Sequence, residues 1–178
     1  KDNCATERAM NEYLETLPNS PISSLREILL AGRVTPQRAA SLMNVVGRST
    51  EDIDYLEVLL AREQVRQSVL AVMADARLDA FVYATFDHQT TVIPPDALTR
   101  ASRDDGYGRG NNRRLSPLIG FPAITVPAGF TADGLPVGLE FLGREFSEGL
   151  LLRFAYAYEQ VSQRRQPPTT TPPLLAAP

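Results

Sequence analysis

Thiol, imidazole and amine side chains are sparse in this chain. It holds one cysteine (Cys4), one histidine (His88) and, among 18 basic residues, one lysine, Lys1. A single Cys and a single His do not furnish the thiolate and imidazole set of a zinc site, so no metal is expected. A lone cysteine excludes an internal disulfide, which accords with a reducing, cytoplasmic compartment. Lys1 is terminal, with no apolar setting to depress its pKa toward that of a general base. Ser23-Ser24 is the one Ser-Ser pair, and its place between Pro21 and Leu25 reads as a helix cap. His88 invites the role of base in a Ser/His or Cys/His enzyme. Asp87 is adjacent, however, and neighbouring side chains of an extended segment diverge. No Gly-x-Ser-x-Gly elbow accompanies them. His88 therefore reads as a polar histidine at a surface or a pocket edge.

The stretch from Arg100 to Arg114 carries five arginines, two aspartates and Tyr107. Basic residues with an interleaved aromatic are one way to hold single-stranded nucleic acid. The net charge of −3 argues against it, and nucleic acid is not an expected partner. Hydrophobic residues make up 43% and charged residues 22%, the balance of a globular protein. No apolar run approaches the roughly 20 residues that span a bilayer, so no membrane partner is expected.

Periodicity sets out the elements that must position these groups. The first part, 1–79, reads as helical. Thr6 is expected to cap a helix to Thr16, and Ser23 or Ser24 another from Leu25 to Ala31, ended by Gly32. Thr35, Pro36 and Gly47 mark a further one. Ser49-Thr50-Glu51-Asp52 resembles a capping box opening a long helix to about Ala76. Its apolar stripe is Ile53, Leu56, Leu60, Val65, Val69, Val72 and Met73. The second part, 80–165, alternates strand and loop. Ala80 to Phe86 reads as a buried strand. Residues 87–117 read as a long polar connection without regular structure. Ala123 to Val126 and Val137 to Leu142 read as an antiparallel hairpin around Asp133-Gly134. Ser147 is expected to cap a last helix to about Arg165, with Leu150, Leu151, Phe154, Tyr158 and Val161 inward. A Pro/Thr-rich tail, 166–178, reads as extended. The order implies α/β or α+β. Three strands make a poor sheet alone, so a partner segment is expected beside them.

The block from Leu115 to Gly143 has a more specific pattern. Its residues Gly120, Pro122, Ala123, Thr125, Pro127 and Gly129, then Pro136, Gly138, Glu140 and Gly143, resemble the C-terminal block of the amidase signature family. That family's pattern is G-x-P-A-x-[ST]-x-P-x-G, a turn, then P-x-G-[LV]-[EQ]-x-x-[GA] and a helix with an early glutamate. The resemblance implies an α/β mixed-sheet fold and amide hydrolysis by a Ser–cis-Ser–Lys triad, with no metal or organic cofactor. It also implies that the triad lies upstream of this block, in an N-terminal catalytic half that is the chain's expected partner. This chain has no Gly-Ser-rich run and begins at Lys1, so it is expected to be the C-terminal part of a longer enzyme, inactive alone. Apart from Thr125, the motif residues are expected to be backbone architecture, with Pro122 and Pro127 ending the strand between them. By the same resemblance Asn111, Asn112, Arg113, Ser116 and Thr125 are candidates for the wall of a cleft that takes a small amide. The Thr125 to Glu140 stretch looks closer to free amidases than to the amidotransferase component that releases ammonia from glutamine. The competing reading is an inert binding or assembly module, a homodimer through exposed sheet edges being one form of it.

Overall fold

The computed structural model describes residues 4–100 and 112–168, arranged as two compact units. Of these residues, the first unit holds those up to 68 together with 90–100, and the second holds 69–89 with those from 112 onward.

Three short helices and most of a long one make the first unit: α1 (Thr6–Glu15), α2 (Leu25–Leu30), α3 (Pro36–Met43) and α4 (Ile53–Asp75), of which residues up to 68 belong here. Leu25, Leu42 and Val45 are buried together, with Met10, Leu29 and Val46 packed on them. Capping follows the side-chain chemistry in several of the expected places. Ser24 accepts from the Glu27 amide at 3.2 Å, while the Glu27 carboxylate accepts from the Ser23 amide and hydroxyl. Thr35 accepts from the Arg38 amide, with Pro36 in the first turn. Just before α4 the Asp52 carboxylate accepts from the Ser49 amide, and the Ser49 hydroxyl accepts from the Glu51 amide. Thr6, by contrast, is helical and caps nothing; Ala5 holds the N-cap position without a side-chain bond. The unit is clasped by Glu7, whose carboxylate accepts from Arg26 Nε at 2.7 Å and from the Gly47 amide. The expected stripe of α4 is a core face only at its C-terminal end, where Met73 is buried and Val69 packs against the cluster of Ile119, Phe121 and Leu142. Ile53 is 68% exposed and Leu60 65%, and of the whole helix only Met73 is buried.

The second unit begins with the end of α4. Arg77, at φ +51°, turns the chain so that the Leu78 amide bonds to the Met73 carbonyl at 2.8 Å. Strand β1 (Phe81–Ala84) follows, then a 3₁₀ turn at Asn112–Arg114, α5 (Leu115–Ile119), β2 (Ala123–Phe130), β3 (Pro136–Leu142) and α6 (Glu148–Ser162). The three strands form an antiparallel sheet in the order β1-β3-β2. Gly134, at φ +79°, makes the hairpin turn that Asp-Gly announces.

Period-2 alternation sorts the sheet into two faces. Val126 and Phe141 pack with Leu151 and Ala155 of α6, flanked by Ile124, Leu139, Phe154 and Tyr158. On the other face Leu142 meets Ile119 and Phe121, and Val69, Leu70, Phe81 and Leu115 close around them. That cover reaches one end of the face and leaves the other end to polar side chains.

Several expectations are corrected by packing. β1 is half-buried rather than buried, because Val82 lies on the helix-covered face where α6 packs on β2 and β3, and it stays 54% exposed. The end of the 87–117 connection is helical, since α5 begins at Leu115. Pro127 lies inside β2 rather than ending it. β2 is an edge strand, and the pairing slips between Pro127 and Gly129, so the missing amide costs no ladder bond there. Ser147 does not cap α6 through its side chain; its hydroxyl donates to the Arg144 carbonyl at 2.6 Å. α6 stops at Ser162, and Val161, expected inward, is 88% exposed. No described helix is long and apolar enough to cross a membrane.

Candidate functional site

One row of residues crosses all three strands on the partly covered face. Tyr83 of β1 pairs with Glu140 of β3, and Glu140 pairs with Thr125 of β2. Antiparallel pairing puts directly opposite side chains on one face, within reach of each other. The next row along this face holds Thr85, Gly138 and Pro127, joined by the bond from the Thr85 amide to the Gly138 carbonyl at 3.1 Å.

Glu140 is the hub of these rows. It is 5% exposed, the one buried charged residue in the described core. A buried carboxylate needs donors, and it has two. The Tyr83 hydroxyl donates to Oε1 at 2.7 Å, and the Thr125 hydroxyl donates to Oε2 at 3.2 Å. Burial, then the hydrogen bond to Glu140 and its charge, push the Tyr83 phenol well above the ordinary tyrosine value. Thr85 Oγ1 lies 3.3 Å from Thr125 Oγ1. Gly138 leaves room for that contact, since a Cβ there would stand 2.7 Å from Thr125 Cγ2 and 3.1 Å from Thr85 Oγ1.

The two threonines open on a cleft of about 1020 Å³. Phe86, Pro127, Phe130 and Val137 give it apolar walls, and Arg164 and Arg165 line it as well. Phe86 stands beyond the end of β1 and organises a second cluster. The Arg113 guanidinium lies over its ring at 5.2 Å, and the His88 ring meets it edge-on at 6.2 Å. His88 Nδ1 and Asp87 Oδ1 are 2.7 Å apart. The expected divergence of these two side chains is therefore wrong, because the chain bends after Thr85 instead of continuing extended. Among the described residues no hydroxyl or thiol bonds to the imidazole, so the pair lacks a nucleophile to activate.

The candidates from sequence are placed as follows. Asn111 lies outside the described residues. Asn112 donates to the Ala84 carbonyl at 3.1 Å, holding the 3₁₀ turn against the exposed edge of β1. The Ser116 hydroxyl donates to the Phe121 carbonyl at 2.7 Å and ties α5 to the start of β2. Gly120 is left-handed at φ +75° and ends α5, and Gly129 sits at φ +138° in the bulge of β2. Gly143 is crowded by Ser147 and Leu151, so a side chain there has no room. Of the four cleft candidates among the described residues, only Thr125 lines the cavity; Arg113 reaches its border through Phe86. Sequence reasoning misses Tyr83 and Thr85, and it assigns Glu140 to architecture. A lone glutamate between Leu139 and Phe141 in an apolar strand is the signal for a partnered charge.

Among the described residues no three His, Cys, Asp or Glu side chains gather to hold a metal ion. The arrangement offers a pinned carboxylate and two ordered hydroxyls beside an apolar cleft. Groups of this kind are suited to hydrogen-bonding a polar molecule, and none of them forms a bonded nucleophile and base pair among the described residues.

Comparison with known proteins accords with this fold. The model of the Amidase family matches residues 19–152. A fatty acid amide hydrolase of Arabidopsis thaliana is 33% identical over 117 residues, 65% of this chain and 19% of that protein. A fatty acid amide hydrolase of Medicago truncatula is 32% identical over 120 residues, again 65% of this chain and 19% of that protein. The peptide amidase of Stenotrophomonas maltophilia superposes with a TM-score of 0.67 at 27% identity, covering 93% of this chain and 33% of its own. The chain thus spans a third or less of the length of each of these relatives. With the family match running through most of its residues and the fold superposing along nearly all of them, the chain belongs to the Amidase family.

Proposed function

We propose that this chain is the C-terminal part of an amide hydrolase, which converts a carboxamide to a carboxylate with release of ammonia or an amine. In this reading the Ser–cis-Ser–Lys triad belongs to a segment upstream of these residues. The triad's hydroxyl attacks the carbonyl and its lysine serves as the base. The present chain supplies scaffold and one wall of the substrate cleft. One observation carries the reading: nearly the whole chain superposes on a minority of a peptide amidase. The cleft beside Thr125 supports the wall role, since it joins apolar lining to a few placed polar groups, as small-molecule sites do.

The test is complementation. The purified chain, incubated with benzamide, is expected to release no ammonia. Mixed with the upstream portion of the same protein, it is expected to restore turnover. Hydrolysis by the chain alone would overturn the claim that its chemistry lies elsewhere. Release of ammonia from glutamine but not from benzamide would assign it to the amidotransferase branch instead.

A further inference from the structure

The donors and acceptors around Glu140 settle the direction of every hydrogen bond in the row. A carboxylate only accepts, so the Thr125 hydroxyl, 3.2 Å from Glu140 Oε2, must spend its single proton there. Thr125 then has none to offer Thr85, and the 3.3 Å contact between them requires Thr85 to donate. Tyr83 likewise spends its proton on Glu140 Oε1. The relay runs Thr85 to Thr125 to Glu140. Both threonine hydroxyls are left with lone pairs and no proton, and both line the cleft.

From this polarity we infer that Thr85 and Thr125 form an acceptor-only pair that receives the N–H group of a carboxamide ligand, with Glu140 as the positioning residue that sets their direction. Gly138 is the opening through which the pair is reached, because a side chain there would occupy the space against Thr125 and Thr85. The apolar walls at Phe86, Pro127 and Phe130 suit an aryl or alkyl body attached to the amide. An ester of the same shape presents only acceptors to this spot. It would leave the lone pairs facing each other, and a polar site rejects an analogue that fails to pair with it. The inference rests on the amide reading above and names the residues that recognise the nitrogen side of the group.

The experiment measures binding, which needs no triad. Benzamide and methyl benzoate are titrated into the isotope-labelled chain, and the amide resonances of Thr85, Thr125 and Gly138 are followed. Benzamide is expected to shift them saturably, and methyl benzoate to bind at least about tenfold more weakly, the loss of roughly one good hydrogen bond. Thr85→Val and Thr125→Val are near-isosteric and are expected to remove that preference, with an unchanged dispersion of the remaining resonances reporting the fold. Glu140→Gln has an amide donor of its own. It is expected to donate to Thr125, free the threonine protons for the cleft and shift the preference toward methyl benzoate. Equal binding of the two probes by the unaltered chain, or an unchanged preference in both valine variants, would overturn the inference. These outcomes separate from those of complementation. Restored turnover with equal probe binding sinks only the acceptor pair. Selective benzamide binding without any restored turnover supports the pair and sinks the hydrolase.

Discussion

Glu140 illustrates how a single charge organises its neighbourhood. Its burial is tolerable because Tyr83 and Thr125 satisfy it, and the same bonds order their hydroxyls. The consequence for stability is a pH dependence through Tyr83. Burial, the bond to Glu140 and its negative charge all favour the neutral phenol, so the folded state holds that proton more tightly than the unfolded one. The contribution is therefore complete below the ordinary value of 10.0 and is lost as pH rises above it toward the folded value. Urea melts of the chain and of Tyr83→Phe, run from about pH 9 to about pH 11.5, check this. The unaltered chain is expected to lose stability more steeply than the variant. Parallel curves would mean that Tyr83 titrates normally. At the acidic end the counterpart is Glu7. The hydrogen bond from Arg26, then that from the Gly47 amide, holds its carboxyl below the usual range. Its contribution is present at neutral pH and falls away as pH drops through the lowered value. Glu7→Gln is expected to flatten that acid limb of the same melts.

At the scale of elements, the β2–β3 hairpin does the positioning. Its turn sets the register, and the register puts Thr125 opposite Glu140 and Gly138 opposite Pro127. A slip of one residue would turn Glu140 to the α6 face, against Leu151 and Ala155, and Phe141 away from it. Gly138 matters for a different reason than conformational freedom. It is a pleated position whose missing Cβ makes room for two threonines. Gly138→Ala is expected to destabilise the second unit by about 1–3 kcal/mol through overpacking. It should also close the approach to Thr85 and Thr125. Denaturant melts read the first effect, and melts indistinguishable from those of the unaltered chain would show that Thr125 rotates aside without cost.

For the chain as a whole, the informative surface is apolar. Ile53, Leu56 and Leu60 stand exposed along α4, and Val82 is exposed on β1 at a sheet edge. Surfaces of this kind on a single chain lead to association unless something covers them. Light scattering of the purified chain is expected to show concentration-dependent self-association. On the reading proposed above, adding the upstream portion is expected to replace it with a single heteromeric species. A monodisperse monomer unaffected by that addition would favour the independent module over the part of an enzyme.

Much of the fold was legible in the residues because local rules act alone where they are strong. Ser24 and Thr35 cap helices, Asp133-Gly134 turns a hairpin, and the block from Gly120 to Gly143 carries its family pattern. Where tertiary context competes, the residues mislead. Thr6 and Ser147 have capping chemistry without the capping role, and Pro127 continues a strand because an edge strand and a bulge tolerate it. The stripe of α4 has helical periodicity, yet periodicity says only which residues share a face, not what meets that face. The row of Tyr83, Glu140 and Thr125 depends on strand order and register, and its bond from Tyr83 to Glu140 joins residues 57 positions apart in the chain. No local rule reaches that distance. Composition and motif thus determined ancestry and element type, while the direction of the hydrogen bonds at the cleft was decided only when the sheet brought three strands side by side.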